Sequence, residues 1–269
     1  MKRVLALAIL SLSFTSAAEA ADMSIPQAYD WTGFYIGLNA GAAINNTQID
    51  YDVNYSGTDP NIIDEVGSLS DSFTDNEGAF TGGALVGYNW QHDHVVIGAE
   101  ADINYLGFSG SKTNDISGIL NAMVDNPGTD VTGTKNVSYD ADWFGTVRAR
   151  LGFTSGNMLF YGTGGFAYGY MSGSGKIKAD WDDEGFSSSN SRESVNWGWT
   201  AGAGVEYGVD NWSLGVEYLY VDLASADLNW DLSADTSDTQ VNTEVSQMNV
   251  KGSVDYQFNV VRATAKLRF

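Results

Sequence analysis

The sequence predicts an all-β protein, an eight-stranded antiparallel up-and-down transmembrane β-barrel with four long extracellular loops and short periplasmic turns. Three observations carry this. Eight segments alternate in hydrophobicity with a period of two, over about the ten residues that a tilted strand needs to cross the outer membrane. The connections between them alternate strictly between long and short, and aromatic residues collect at both ends of the segments on the apolar parity.

In the first segment Phe34, Ile36, Leu38, Ala40 and Ala42 share one face, with Tyr35, Gly37, Asn39 and Gly41 on the other. The second sets Phe80, Gly82, Ala84, Val86, Tyr88 and Trp90 against Thr81, Gly83, Leu85, Gly87 and Asn89. The third places Val95, Ile97, Ala99, Ala101, Ile103 and Tyr105 opposite Gly98, Glu100, Asp102 and Asn104. In the fourth, Trp143, Gly145, Val147, Ala149, Leu151 and Phe153 oppose Thr146, Arg148, Arg150 and Gly152. The fifth is weaker, because Phe160, Phe166, Tyr168 and Tyr170 share their face with Gly162 and Gly164. The sixth has Trp197, Trp199, Ala201, Ala203, Val205 and Tyr207 against Thr200, Gly202, Gly204 and Glu206. The seventh carries Trp212, Leu214, Val216, Tyr218 and Tyr220 opposite Ser213, Gly215 and Glu217, and the last runs Val261, Ala263, Ala265, Leu267 and Phe269 against Arg262, Thr264, Lys266 and Arg268.

Residues 44–79, 106–142, 171–196 and 223–258 are long, polar connections, whereas 91–94, 154–159 and 208–211 read as tight turns. Long loops at one end and short turns at the other is the outer-membrane pattern, with the turns in the periplasm. A hairpin within one of the long connections would raise the count to ten strands. Phe34, Trp90, Phe153, Phe160, Tyr207, Trp212 and Phe269 lie at the turn end; Phe80, Tyr105, Trp143, Tyr168, Tyr170, Trp197, Tyr218 and Tyr220 lie at the loop end. Such girdles belong at the two membrane interfaces.

Ahead of the barrel domain, residues 31–269, two segments stand apart. Residues 1–20 read as an export signal, with Lys2 and Arg3 before an apolar stretch and Ala18-Glu19-Ala20 as a small-residue cleavage site between Ala20 and Ala21. Residues 21–30 form a short periplasmic lead-in. Losing Glu19, Lys2 and Arg3 from 34 acids and 13 bases leaves 33 and 11, a net charge of −22 that makes nucleic acid an implausible partner. No cysteine is present, so neither a disulfide framework nor thiol chemistry is expected.

The opening Trp31-Thr32-Gly33-Phe34-Tyr35-Ile36-Gly37, the run Tyr161-Gly162-Thr163-Gly164-Gly165 and the ending Arg262 to Phe269 resemble the small outer-membrane immunogenic, porin-like proteins of alphaproteobacteria, within the OmpA-like and opacity-like barrels. The resemblance covers the strands of the mature chain and none of the loops. It implies a cell outer membrane location, with lipid and lipopolysaccharide as surroundings. Leu267 and Phe269 would be the C-terminal signal read by the outer-membrane assembly machinery. Relatives described as binding haem or host surfaces would do so through loops, and no residue carries that property over. Ending at its last strand, the chain is expected to have no peptidoglycan-binding domain.

On the inward parity stand Glu100, Asp102, Glu206 and Glu217 with Arg148, Arg150, Arg262, Lys266 and Arg268. An eight-stranded barrel is just wide enough for side chains to fill it, so these charges must pair or be hydrated. The residues leave open a salt-bridged plug or a gated ion path. Glu100 with Arg148 is the expected cross-strand pair, and Glu217 with Arg262 the candidate should those two not meet. The four long connections carry 24 acids and 6 bases. They read as solvated loops, or as oxygen-rich segments, such as Asp180 to Glu184 and Asp71 to Glu77, that bridge cations to anionic lipopolysaccharide.

His92 and His94 are the only histidines, both in a turn and without a Ser or Asp constellation nearby. Outer-membrane hydrolases generally need such a group as base or orienter. The sequence therefore predicts a non-enzymatic barrel without cofactor or metal, supporting envelope integrity and presenting acidic loops to an external partner. The alternative is a narrow porin-like diffusion channel for small solutes.

Overall fold

A computed structural model describes residues 29–55, 71–75, 78–117, 131–181, 184–231 and 248–269. The expected signal segment, its cleavage site and most of the lead-in lie outside these residues. The strands are β1 (Gly33–Asn45), β2 (Thr47–Tyr55), β3 (Asp71–Asp75), β4 (Gly78–His92), β5 (Val95–Asp115), β6 (Val131–Ser155), β7 (Met158–Trp181), β8 (Glu184–Val209), β9 (Trp212–Asp231) and β10 (Met248–Arg268). Eight of them, β1 and β4 to β10, form an antiparallel ring of sequential neighbours that the β1–β10 pairing closes. The two others add no strand to the ring. β2 continues β1 along β10 after a break at Asn46, whose N–H donates to the Gln257 carbonyl at 2.8 Å, and β3 pairs with β2 just before β4 begins.

Three tight turns sit at one end. Asp93, Gly156 and Asp210, each the first residue of a two-residue turn, have φ of 53°, 59° and 51°. Glycine adopts this left-handed region freely, and Asp is among the side chains that tolerate it. The fifth segment, weak as a pattern, is fully paired: β7 runs the length of both neighbours.

At the other end the strands continue much further than the alternation suggested, so large parts of the four connections expected as loops are paired strand. β5 reaches Asp115, β7 reaches Trp181, and β8 begins at Glu184. The physical reason is a swap of faces. Between Ile97 and Tyr105 the outward residues of β5 are apolar and the inward Glu100, Asp102 and Asn104 are polar; above Tyr105, Leu106 and Phe108 face inward while Gly107 and Ser109 are exposed. β9 swaps after Tyr218, with Leu219, Val221 and Leu223 buried. Bulges at the same level, between Tyr105 and Phe108, Ala141 and Trp143, and Val254 and Tyr256, adjust the register, as bulges at barrel rims commonly do. The β4–β5 ladder ends at Thr81 with Leu106, and the β8–β9 ladder at Gly198 with Leu223.

The outward band between the girdles is apolar and uncovered: Leu38 is 68% exposed, Leu151 61% and Phe166 74%. Such a belt is stable only against hydrocarbon. Ala99→Arg, on this face, should cost about 2 to 4 kcal/mol, whereas Ser174→Arg, exposed on β7 beyond the belt, should cost little. Urea titration in lipid vesicles would measure both, and equal losses would place the membrane boundary elsewhere.

Candidate functional site

The ring turns its chemistry inward, and the lumen is packed in three layers. Nearest the turns lie Tyr29, Trp31, Val96, Leu159 and Tyr161. A charged layer follows. Above it Leu106, Phe108, Phe144, Met171, Leu219 and Phe258 are among a larger apolar cluster, with Phe144 and Phe258 edge to face at 5.1 Å.

Eight of the nine expected charged residues stand in the middle layer, each at most 5% exposed. Glu100 is directly opposite Arg148 in the β5–β6 register, and Glu217 opposite Arg262 in β9–β10. The Arg148 guanidinium donates to Glu100 Oε1 at 2.5 Å, Asp102 Oδ2 at 2.9 Å and Glu217 Oε1 at 2.9 Å, while its Nε donates to Thr146 Oγ1 at 2.9 Å. Arg262 donates to Glu217 Oε2 and Asp102 Oδ2, both at 2.8 Å, and to Asn104 Oδ1 at 3.2 Å.

A lower group gathers on Glu206. It accepts from Arg150, from Lys266 Nζ at 2.8 Å and from Ser213 Oγ at 3.2 Å. Glu100 links the two groups, its Oε2 accepting from Lys266 at 2.6 Å and from Tyr35 OH at 3.0 Å. Four carboxylates thus meet four cations, and the layer carries no net charge. Desolvating one ion would cost several kcal/mol, and only pairing with complete hydrogen bonding offsets that.

Arg268, expected in this set, stands apart. It lies at the mouth, with its guanidinium carbon 4.5 Å from the Tyr29 ring centroid, and donates to the backbone carbonyls of Asp30 and Thr32. Its strand ends there, below the charged layer, so the lead-in backbone is within reach and the carboxylates are not. Leu267 pairs with Ile36 and Trp212, and Phe269 N–H donates to the Phe34 carbonyl at 2.9 Å. His92 and His94 lie exposed at the β4–β5 turn, where His92 stacks on Trp90 and His94 tilts against Phe153.

Two partners that the sequence reading did not single out are Tyr35 and Tyr161. Tyr161 OH donates to Glu217 Oε1 at 3.1 Å, and its ring covers the Arg150 guanidinium at 3.9 Å. Both tyrosines lean across a neighbouring strand where glycine leaves room: a Cβ at Gly87 would collide with the Tyr35 ring, and one at Gly204 with that of Tyr161. Their parity was the available signal, since they are aromatic on the face otherwise kept for small and polar residues.

The family match and the sequence relatives agree with this architecture. A family model described as the outer membrane protein beta-barrel domain matches residues 6–258. The 31 kDa outer-membrane immunogenic protein of Brucella melitensis biotype 1 is 36% identical over 96% of this chain and 100% of its own length. The 22 kDa outer membrane protein of Rhizobium leguminosarum bv. viciae is 29% identical over 79% of this chain and 74% of its own. Among solved structures, the outer membrane protein OprG of Pseudomonas aeruginosa aligns at 12% identity over 89% of this chain and 98% of its own, with a TM-score of 0.35.

Proposed function

The chain belongs to the outer membrane protein β-barrel family, and from that premise we propose that it is a sealed, non-enzymatic barrel that supports the envelope and presents acidic segments at the cell surface. The observation that carries this reading is the filled lumen. A neutral, densely ion-paired layer stacked between two apolar layers fills the described lumen where a solute would have to pass.

The surface role rests on the other end of the barrel. The long connections hold most of the acidic residues, the strands of β5 to β8 carry them well beyond the outer girdle, and described flanking positions such as Asp115, Asp140 and Asp180 are exposed. That the Brucella relatives are named immunogenic proteins fits such display. The like charge of these segments would keep neighbouring barrels apart, or would draw a cationic partner or cation-bridged lipopolysaccharide.

Sealed cells treated with protease should be cut only within 44–79, 106–142, 171–196 or 223–258. A strain lacking the protein should become more sensitive to detergents and regain resistance when the gene is restored. Cleavage at 208–211 in sealed cells would overturn the orientation, and unchanged detergent sensitivity would overturn the supporting role.

A further inference from the structure

We propose that residues 29–32 form a strap that closes the turn-end mouth of the barrel and latches the seam between the first and last strands. This goes beyond the sealing ascribed to the charged and apolar layers and does not depend on it. Tyr29 closes the stretch read as a periplasmic lead-in and Trp31 opens the barrel domain ahead of the first strand, yet Tyr29 is 8% exposed and Trp31 2%. Their rings meet edge to face at 4.6 Å beneath Leu159 and Tyr161.

The strap crosses the mouth. At one side Trp31 N–H donates to Gln91 Oε1 at 2.8 Å, and Gln91 N–H donates to Thr32 Oγ1 at 3.1 Å, tying it to β4 beside β1. At the other side Tyr29 N–H donates to Asn157 Oδ1 at 3.3 Å, in the β6–β7 turn. The Tyr29 ring rests where Gly208 has no side chain; a Cβ there would fall 2.5 Å from the ring.

Arg268 makes the strap a latch. It belongs to the last strand, but its guanidinium holds the carbonyls of Asp30 and Thr32 and covers Tyr29. The neighbouring Phe269 N–H pairs with Phe34, the second residue of β1. The grip of Arg268 therefore exists only when the first and last strands have met, and while it lasts it resists their separation.

The absence of cysteine allows a clean test. Ser213, buried on β9 just inside the mouth, becomes the reporter as Ser213→Cys, probed with a small charged methanethiosulfonate in refolded, full-length protein. Tyr29→Ala with Trp31→Ala should raise its reaction rate about tenfold or more, since local opening sets the rate. Arg268→Ala alone should speed amide exchange about tenfold in residues 34–38 and 264–267 while leaving the β6–β7 amides unchanged.

Equal labelling rates, or exchange that rises uniformly or not at all, would overturn the proposal. Should these variants fail to refold, Tyr29→Cys with Gly208→Cys keeps it testable. In the folded barrel the pair should oxidise to a disulfide across the mouth, and a folded protein that forms none would overturn the strap.

Discussion

Arg148→Ala should destabilise the barrel by about 3 to 5 kcal/mol, the loss expected when one member of a buried ionic set is removed and its partners stay charged. Arg148 serves Glu100, Asp102 and Glu217 together. Its removal leaves a charged layer with four carboxylates and three cations. Adding Glu100→Ala restores the balance and should recover part of the loss, giving a clear coupling energy in a double-mutant cycle on urea unfolding in lipid vesicles. The coupling should be smaller than the single loss, because Asp102 and Glu217 still lack the Arg148 guanidinium and are left with that of Arg262. A cycle that closes near zero would mean the two side chains do not meet.

Phe258→Ala should cost a comparable amount, about 3 to 5 kcal/mol for a large buried aromatic side chain. Its ring fills the centre of the upper layer, edge to face with Phe144 at 5.1 Å and Phe108 at 6.1 Å. Phe258→Leu, which keeps most of the apolar volume, should lose less than about 1.5 kcal/mol. The same urea titration measures both. Similar small losses for the two would mean that the upper cluster is loosely packed and contributes little.

The upper layer also shows where sequence reading met its limit. In the membrane the signal is clear in every segment but the fifth, because hydrocarbon outside and a largely polar lumen inside favour alternation, and the Glu100–Arg148 register can be counted from the turns. Above Tyr105 and Tyr218 the solvent outside is water, so the same strands reverse their faces. Leu106, Phe108, Leu219 and Leu223 are then apolar on the parity that had been polar, and without a change in geometry the pattern looks like its end. Bulges in β5–β6, β6–β7 and β9–β10 blur the count further.

Arg268 was misplaced for a different reason. Its parity is inward, but parity gives no height, and its partners are backbone carbonyls of a segment with no strand pattern at all. Tyr29 and Trp31 were hidden for the same reason: nothing periodic marks a strap that folds back across a mouth.

A sealed lumen has a direct electrical signature, read by single-channel recording of refolded protein in planar bilayers. Wild-type protein should give no stable conductance steps, and the Phe258→Ala and Arg148→Ala barrels should leak more than it does. Stable, reproducible steps from the wild-type protein would contradict a sealed lumen and assign the chain to the narrow diffusion channels.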